Sequence, residues 1–310
     1  MGSMRGVTRR ARRYLGIGLT LGLAGLITWA QPSSAQTLER VAAAGVLKIG
    51  YRKDAPPFSF ETEAGEAAGY TIDLCRKIAA DVKEELSLPE IALEYVAVGT
   101  EDRFRAISNG QIDILCGAAT ATLSRREVVS FSLPVFITGV SGLLRADAPS
   151  FLREVLAGRR PTVPPRTLVL QAFTDRTFAA RSNTTAEAWL KDGLADLATN
   201  AEMVTVPSHD EGVRRVLEGE VDAYFADRAI LVGLVAQSAS PDAFEISDRF
   251  FTYEPYALAL LKGDEAFRLR IDRTLSRLYR TGEIDSIFGE HIGVPGEAVR
   301  ALFMINSLPE

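Results

Sequence analysis

The residues most able to do chemistry stand close together between Cys116 and Arg126, in the run CGAATATLSRR. An amphipathic turn carrying Phe104 and Ile107 ends at Asn109-Gly110, a helix-stop pair. A short apolar strand, Ile112-Asp113-Ile114-Leu115, then leads into a loop of small and hydroxylated residues that includes Thr120. Thr122 and Ser124 are each placed to cap a short helical turn holding Arg125 and Arg126. Strand, hydroxyl-rich loop and helix N-terminus, with a guanidinium one turn in, form a receptor for a carboxylate. Free backbone N–H groups, the positive helix end and a forked cation converge there. A second helix start of this kind lies at Ser182-Asn183-Thr184-Thr185-Ala186-Glu187. Arginines on α/β proteins are mostly solvated, and Arg126 is read that way; the loop sets Arg125 apart. His209 is one of two histidines, and a histidine after a strand is as often a cap as a ligand group.

The elements that must hold these residues alternate between the two periods of hydrophobic patterning. A helix (Leu38–Ala44) stops at Gly45, and the strand Val46-Leu47-Lys48-Ile49-Gly50-Tyr51 follows. Pro56 and Pro57 stiffen the next loop, and Phe58-Ser59-Phe60 with the turn at Gly65 reads as a β-excursion. A helix then runs to about Leu86, Ile91–Val98 is a strand, and Thr100 is placed to cap the next helix, with Arg103 in its first turn. Val128–Phe131 and Val135–Leu144 read as strands parted by Leu133-Pro134. The arginine- and proline-rich stretch from Asp147 to Arg176 reads as an exposed linker or insertion with a helical piece near Phe151–Leu156. Strand, turn and helix then recur: Thr177–Arg181, Met203–Val206, the helix Glu211–Glu218, and Val221–Asp227. Gly219 and Asp222 repeat the Gly-x-x-Asp spacing of Gly110 and Asp113, whose aspartates are read as orienting their turns. A last strand, Tyr253–Leu261, precedes a long helix ended by Gly282, a helix at Ile284–Phe288, and a tail from Val294 read as surface. The expected fold is α/β, with mainly parallel sheets in two similar units.

Size and charge narrow the classes. The 310 residues, 47% hydrophobic and 24% charged, suit a soluble globular protein of two modest domains, and the net charge of −5 leaves no footprint for nucleic acid or an acidic membrane. Arginines at 5, 9, 10, 12 and 13, an apolar run from Tyr14 to Ala30 and the triplet Ser33-Ser34-Ala35 follow the order of a cleavable secretory signal, with the cut expected after Ala35. Export would carry Cys75 and Cys116 into an oxidising space; whether the two pair stays open at this stage. Two cysteines lack the spacing of any metal site, and no metal or cofactor is expected.

Taken in order, Leu47-Lys48-Ile49-Gly50, Pro57-Phe58-Ser59-Phe60, Gly69-Tyr70-Thr71-Ile72-Asp73-Leu74 and Thr120 with Arg125 resemble the periplasmic solute-binding proteins of polar amino-acid ABC transporters (family 3). Asn183-Thr184-Thr185-Ala186-Glu187, Asp222 with Asp227, and Glu254-Pro255-Tyr256-Ala257 continue that order, over nearly all of the mature chain. Arg52, Arg103, Cys116-Gly117 and His209 make it most similar to the glutamate/aspartate-binding branch. The resemblance implies a two-lobe, type II "flytrap": signal 1–35, lobe 1 from 36–143 and 255–310, lobe 2 from 144–254, and two hinge strands near Gly142 and Tyr256. It also implies roles. Thr120, Arg125, Thr184 and Thr185 would bind an α-carboxylate, and Asp227 an α-ammonium. Arg52, Arg103 and His209 would hold a side-chain carboxylate, with Thr100 in support.

Two anions and one cation on a dicarboxylic amino acid call for two positive poles and one negative, which matches that division. Basic and amide ligands commonly meet an aromatic near Ala55, absent here; Ala118 stands where the dicarboxylate branch often has serine, so glutamine stays open. The expected function is capture of an acidic amino acid outside the inner membrane, as a monomer, and its delivery to an ABC permease. The competing expectation is a periplasmic dehydratase of an aromatic precursor such as arogenate, on the same fold. That chemistry needs a carboxyl or histidine of tuned pKa, for which His209 is the one histidine in place. No Ser/His/Asp arrangement and no Gly-rich phosphate loop is visible.

Overall fold

The structure, a computed structural model, describes residues 37–158, 166–197 and 199–309. The expected signal segment and part of the stretch between Asp147 and Arg176 lie outside the described residues.

The described residues begin with α1 (Thr37–Ala44), which Gly45 ends at φ +66°, and β1 (Val46–Tyr51). The expected excursion is a small antiparallel sheet of β2 (Asp54–Ala55), β3 (Ser59–Glu61) and β4 (Ala67–Ala68). Next come α2 (Tyr70–Glu85), β5 (Ala92–Ala97), α3 (Arg103–Ser108), β6 (Ile114–Cys116), a 3-10 turn over Arg125–Glu127, and β7 (Val129–Thr138). The chain then enters a second sheet with β8 (Val140–Arg145), α4 (Ser150–Leu156), α5 (Arg166–Phe173), β9 (Thr177–Arg181) and α6 (Thr185–Leu197). It continues through β10 (Glu202–Val206), α7 (His209–Leu217), β11 (Ala223–Asp227), α8 (Arg228–Gln237) and β12 (Phe244–Ile246). It returns with β13 (Glu254–Leu261), α9 (Glu265–Thr281), α10 (Glu283–His291) and α11 (Glu297–Ile305).

Two five-stranded sheets result, ordered β5-β1-β6-β13-β7 and β10-β9-β11-β8-β12, one to each lobe. Neither is mainly parallel, as the alternation of strand and helix had suggested. In each, the βαβ half is parallel, while the strands that leave or return across the lobes pair antiparallel: β13 on β6 and β7, β8 on β11 and β12. A crossing strand comes back against the direction of the unit it left, so the sheets are mixed. The two crossings touch: a Cβ on Gly139 would stand 2.2 Å from the carbonyl oxygen of Thr252.

Several local expectations change. Pro134 does not divide a strand, because β7 is the sheet edge and the missing N–H breaks only a bond at a register shift; the interruption is at Gly139. The tail is surface only in part: Val294, Met304 and Ile305 are exposed, but Val299, Leu302 and Phe303 lie on one face of α11 and are buried, with Phe303 stacked on Tyr279 at 4.9 Å. Thr100 does not cap α3, whose first residue is Arg103; Asp102 precedes it and accepts from Gly99 N–H at 2.8 Å. The turn at Arg125 is held by Thr122, whose hydroxyl accepts from Arg125 N–H at 3.2 Å, and not by Ser124. Cys75 and Cys116 are joined, tying α2 to the end of β6.

The repeat of Gly-x-x-Asp becomes a repeat of geometry. Gly110 and Gly219 sit at φ +69° and +72°, where glycine is the residue that fits without strain. Asp113 accepts from Lys48 N–H at 2.8 Å and is paired with Arg40; Asp222 accepts from Thr177 N–H at 2.9 Å and is paired with Arg176. Ile49 lies opposite Ile114, the residue after Asp113, and Phe178 lies opposite Ala223, the residue after Asp222. Three residues on from each, Arg52 and Arg181 leave β1 and β9 at matching positions.

Candidate ligand-binding site

The cavity lies where strand ends and helix starts of both lobes meet. Arg52, Thr100, Arg103, Thr120, Arg125, Thr184, Thr185, His209 and Asp227, the nine residues expected from sequence, all line it, together with Ala55, Ala118 and Ile230. Arg181 lines it too and was not anticipated. It lies in a strand read only for its apolar neighbours; its register match to Arg52, through the two aspartate corners, was the available signal.

The arginines are buried rather than solvated. Arg52, Arg103 and Arg181 are 4%, 4% and 6% exposed. Arg181, from β9, reaches Asp54 of β2 at 2.9 and 2.8 Å, and Arg52 reaches the same carboxylate at 3.1 Å. Burial alone would raise the Asp54 carboxyl; the charges of Arg52 and Arg181, both bonded to it, oppose that, and it lies below the usual value. Burial, then the charge of Arg181, brings Arg52 down to about 10. Arg103 is brought down to about 8 by burial and by Arg125, Arg52 and Arg181. It still carries its proton at neutral pH, so the strain of crowded cations is one that an anion would relieve.

Arg103 donates from Nη1 to Thr100 O at 2.6 Å, which is the work Thr100 does in place of capping. Arg125 is held at 2.8 Å by Thr120 O, packs over the Phe104 ring, and has Glu254 and Asp227 as charged neighbours. Thr120 is fixed in turn by a bridge to Tyr256 of β13. Asp227 accepts from Tyr256 Oη, and burial, followed by the charge of Glu254, pushes its carboxyl up to about 7.

The second lobe supplies a helix start. Thr184 accepts from Glu187 N–H at 3.2 Å while Glu187 accepts from Asn183 N–H at 2.7 Å, a reciprocal cap on α6. The Thr184 hydroxyl also donates to Arg181 O at 2.6 Å, so it is committed at both ends. Thr185 donates to Glu254 at 3.1 Å. His209 opens α7 behind the Ser208 cap, with Nδ1 at 2.7 Å from Tyr224 Oη. Burial, then Arg181, brings its pKa down to about 3, so it is neutral; a hydroxyl proton given to Nδ1 leaves Nε2–H as the donor.

Among the described residues, four buried side-chain atoms have no hydrogen-bond partner, and three belong to this cavity: Arg52 Nε, Arg103 Nε and Asp227 Oδ1. Two are cationic donors and one is an anionic acceptor. Elsewhere, Asp73, Glu290 and His291 gather ligand atoms within 4.8 Å of one another, but Asp73 is already spent on His291 and Arg76 at 2.6 Å each.

Residues 47–294 match the bacterial extracellular solute-binding proteins, family 3. The chain belongs to that family. A solute-binding protein of Pseudomonas aeruginosa, the L-glutamate/L-aspartate-binding protein, is 28% identical over 260 residues, 84% of this chain and 80% of the relative. The solved structure of a mutant of ArgBP from T. maritima superposes with a TM-score of 0.67 at 23% identity, over 82% of this chain and 98% of that one. An ancestral amino acid-binding protein described as a precursor of cyclohexadienyl dehydratase gives the same TM-score at 22% identity, over 83% and 99%. This binding protein thus has the family's two-lobe fold.

Proposed function

We propose that the protein captures an acidic α-amino acid, glutamate or aspartate, outside the cytoplasmic membrane and delivers it to the permease of an ABC transporter. The observation that carries this is the set of unpaired buried atoms in one cavity: two guanidinium donors and one carboxylate acceptor. A dicarboxylic amino acid is the complement, since buried polar atoms need partners and buried charges need counter-charges. Arg125 with Thr120 would take the α-carboxylate, and the start of α6 at Thr185 would add backbone N–H groups. Asp227 would take the α-ammonium. Arg52, Arg103 and neutral His209 would hold the side-chain carboxylate. The similarity to the glutamate/aspartate-binding protein supports the same ligand class. The crossings at Gly139 and ahead of Glu254 would serve as the hinge, and closure would assemble the half-sites from the two lobes, so binding and closure share one free energy.

Titration calorimetry of the mature, ligand-stripped protein tests the proposal against glutamate, aspartate, glutamine, arginine and a non-amino dicarboxylate. Tight binding of the acidic pair alone supports it. Preference for glutamine or arginine would overturn the side-chain assignment. Four arginines around one cavity leave little room for the aromatic ring that a dehydratase of aromatic precursors must hold.

A further inference from the structure

The side-chain half of the cavity holds more positive charge than one carboxylate answers. Arg52 and Arg181 stand there with Arg103 beside them, all more than nine-tenths buried. Among the described residues Asp54 is the carboxylate that pairs with any of the three, and it takes both Arg52 and Arg181. Asp102, next to Arg103 in the chain, is half-buried and bonded to Gly99 N–H; Asp210, next to His209, is exposed to water. His209 is neutral and Tyr224 is an undissociated phenol, so neither changes the count. Three guanidinium groups share one bonded carboxylate, with Asp102 beside Arg103 and Asp210 beside Arg181 as more distant counter-charges, so positive charge is left over in this half. Arg125, which packs with Arg103 over the Phe104 ring, has Glu254 and Asp227 as its own counter-charges, so its charge is answered there.

We propose that this half-site takes a dianionic, tetrahedral group, the phosphate or phosphonate of an ω-phosphorylated α-amino acid, and that Arg181 is the residue that selects it over a carboxylate. The inference rests on the reading of the cavity as an α-amino-acid site. A planar carboxylate offers one charge and two oxygens. A phospho group offers up to two charges and three oxygens spread in space, and Arg52 of the first lobe, Arg181 of the second and the Arg103 and His209 donors come at it from separate elements. Arg52 and Arg181 hold matching positions at the ends of β1 and β9, so the anion would be gripped evenly from both lobes.

The test is calorimetry of the mature protein with aspartate, glutamate, cysteate, phosphoserine and 2-amino-4-phosphonobutyrate, at pH 7.5 and pH 5.5. Cysteate is tetrahedral with one charge, so it separates shape from charge. The expected result at pH 7.5 is phospho ligands binding at least as tightly as the carboxylate of matching length, with cysteate between. The phospho-to-carboxylate ratio should fall several-fold at pH 5.5, as the group loses its second charge near a pKa of about 6; Asp227 titrates for every ligand and cancels from the ratio. Arg181→Gln leaves Asp54 to neutralise Arg52 and should invert the ratio by tenfold or more, with circular dichroism showing the fold retained. Phospho ligands tenfold weaker than carboxylates in the wild-type protein would overturn the inference and leave the acidic-amino-acid reading standing, as would a ratio that ignores Arg181→Gln. No binding of any member would overturn both.

Discussion

Arg103 of the first lobe donates from Nη2 to the carbonyl oxygen of Asn183 in the second, at 3.0 Å. Asn183 is one of three non-glycine residues held at positive φ (+59°) among the described residues, and it is the residue before the threonine that caps α6. One guanidinium therefore serves the cavity and grips the loop that presents the second lobe's helix start.

Arg103→Lys keeps the charge and loses the fork. It should weaken binding of glutamate or aspartate by about a hundredfold, within the roughly 2–5 kcal/mol that truncating one partner of a buried charge contact costs. Calorimetry checks this. An affinity within threefold of wild type would show that Arg103 holds neither ligand nor lobe.

Asp227 predicts a pH dependence. Its carboxyl is raised to about 7 in the free protein, and an ammonium placed against it would lower that value. Binding therefore releases a proton below pH 7: affinity should rise roughly tenfold per unit from pH 5 to 7 and level off above, as proton linkage requires. Asp227→Asn should bind weakly and remove the slope. Titration in buffers of different ionisation enthalpy counts the proton.

Gly233 of α8 meets the first lobe at Pro56, where an added Cβ would lie 2.7 Å from the carbonyl oxygen. Alanine at this helix position should stabilise the second lobe by about 1 kcal/mol through helix propensity while obstructing closure. Gly233→Ala is expected to melt no lower than wild type yet bind at least tenfold more weakly. Unchanged affinity would mean that the lobes need not approach this closely.

The Cys75–Cys116 bond closes a separation of 41 residues. Chain entropy assigns such a cross-link about 4 kcal/mol. The Cys75→Ser, Cys116→Ser protein should melt on the order of 10 °C lower, given a few degrees per kcal/mol at this size. Because β6 runs straight into the loop that carries Thr120 and Arg125, ligand affinity should fall as well. Calorimetric melting with and without glutamate separates the two effects.

Much of the cavity was legible in the sequence because its residues sit at strand ends and helix starts, which local patterning marks. Thr120, Arg125, Thr184 and Asp227 each follow a strand or open a helix. Arg181 escaped notice because its importance comes from Asp54, 127 residues away in sequence and across the cleft. The buried tail escaped because surface and core helices of moderate amphipathicity differ in partner, not in pattern. α8 escaped for the opposite reason: Ile230, Leu231, Val232, Leu234 and Val235 run too continuously to show a period.

The aspartate corners at Asp113 and Asp222 have a consequence for how such a receptor can change its taste. Each corner fixes the start of a strand through an aspartate carboxylate that accepts a backbone N–H and pairs with an arginine, and the far end of that strand delivers one residue, Arg52 or Arg181, to the cavity. The frame is indifferent to what that residue is. Selection could rewrite the charge preference one position per lobe, leaving core and hinge untouched, so solute specificity can drift quickly on an architecture that barely moves.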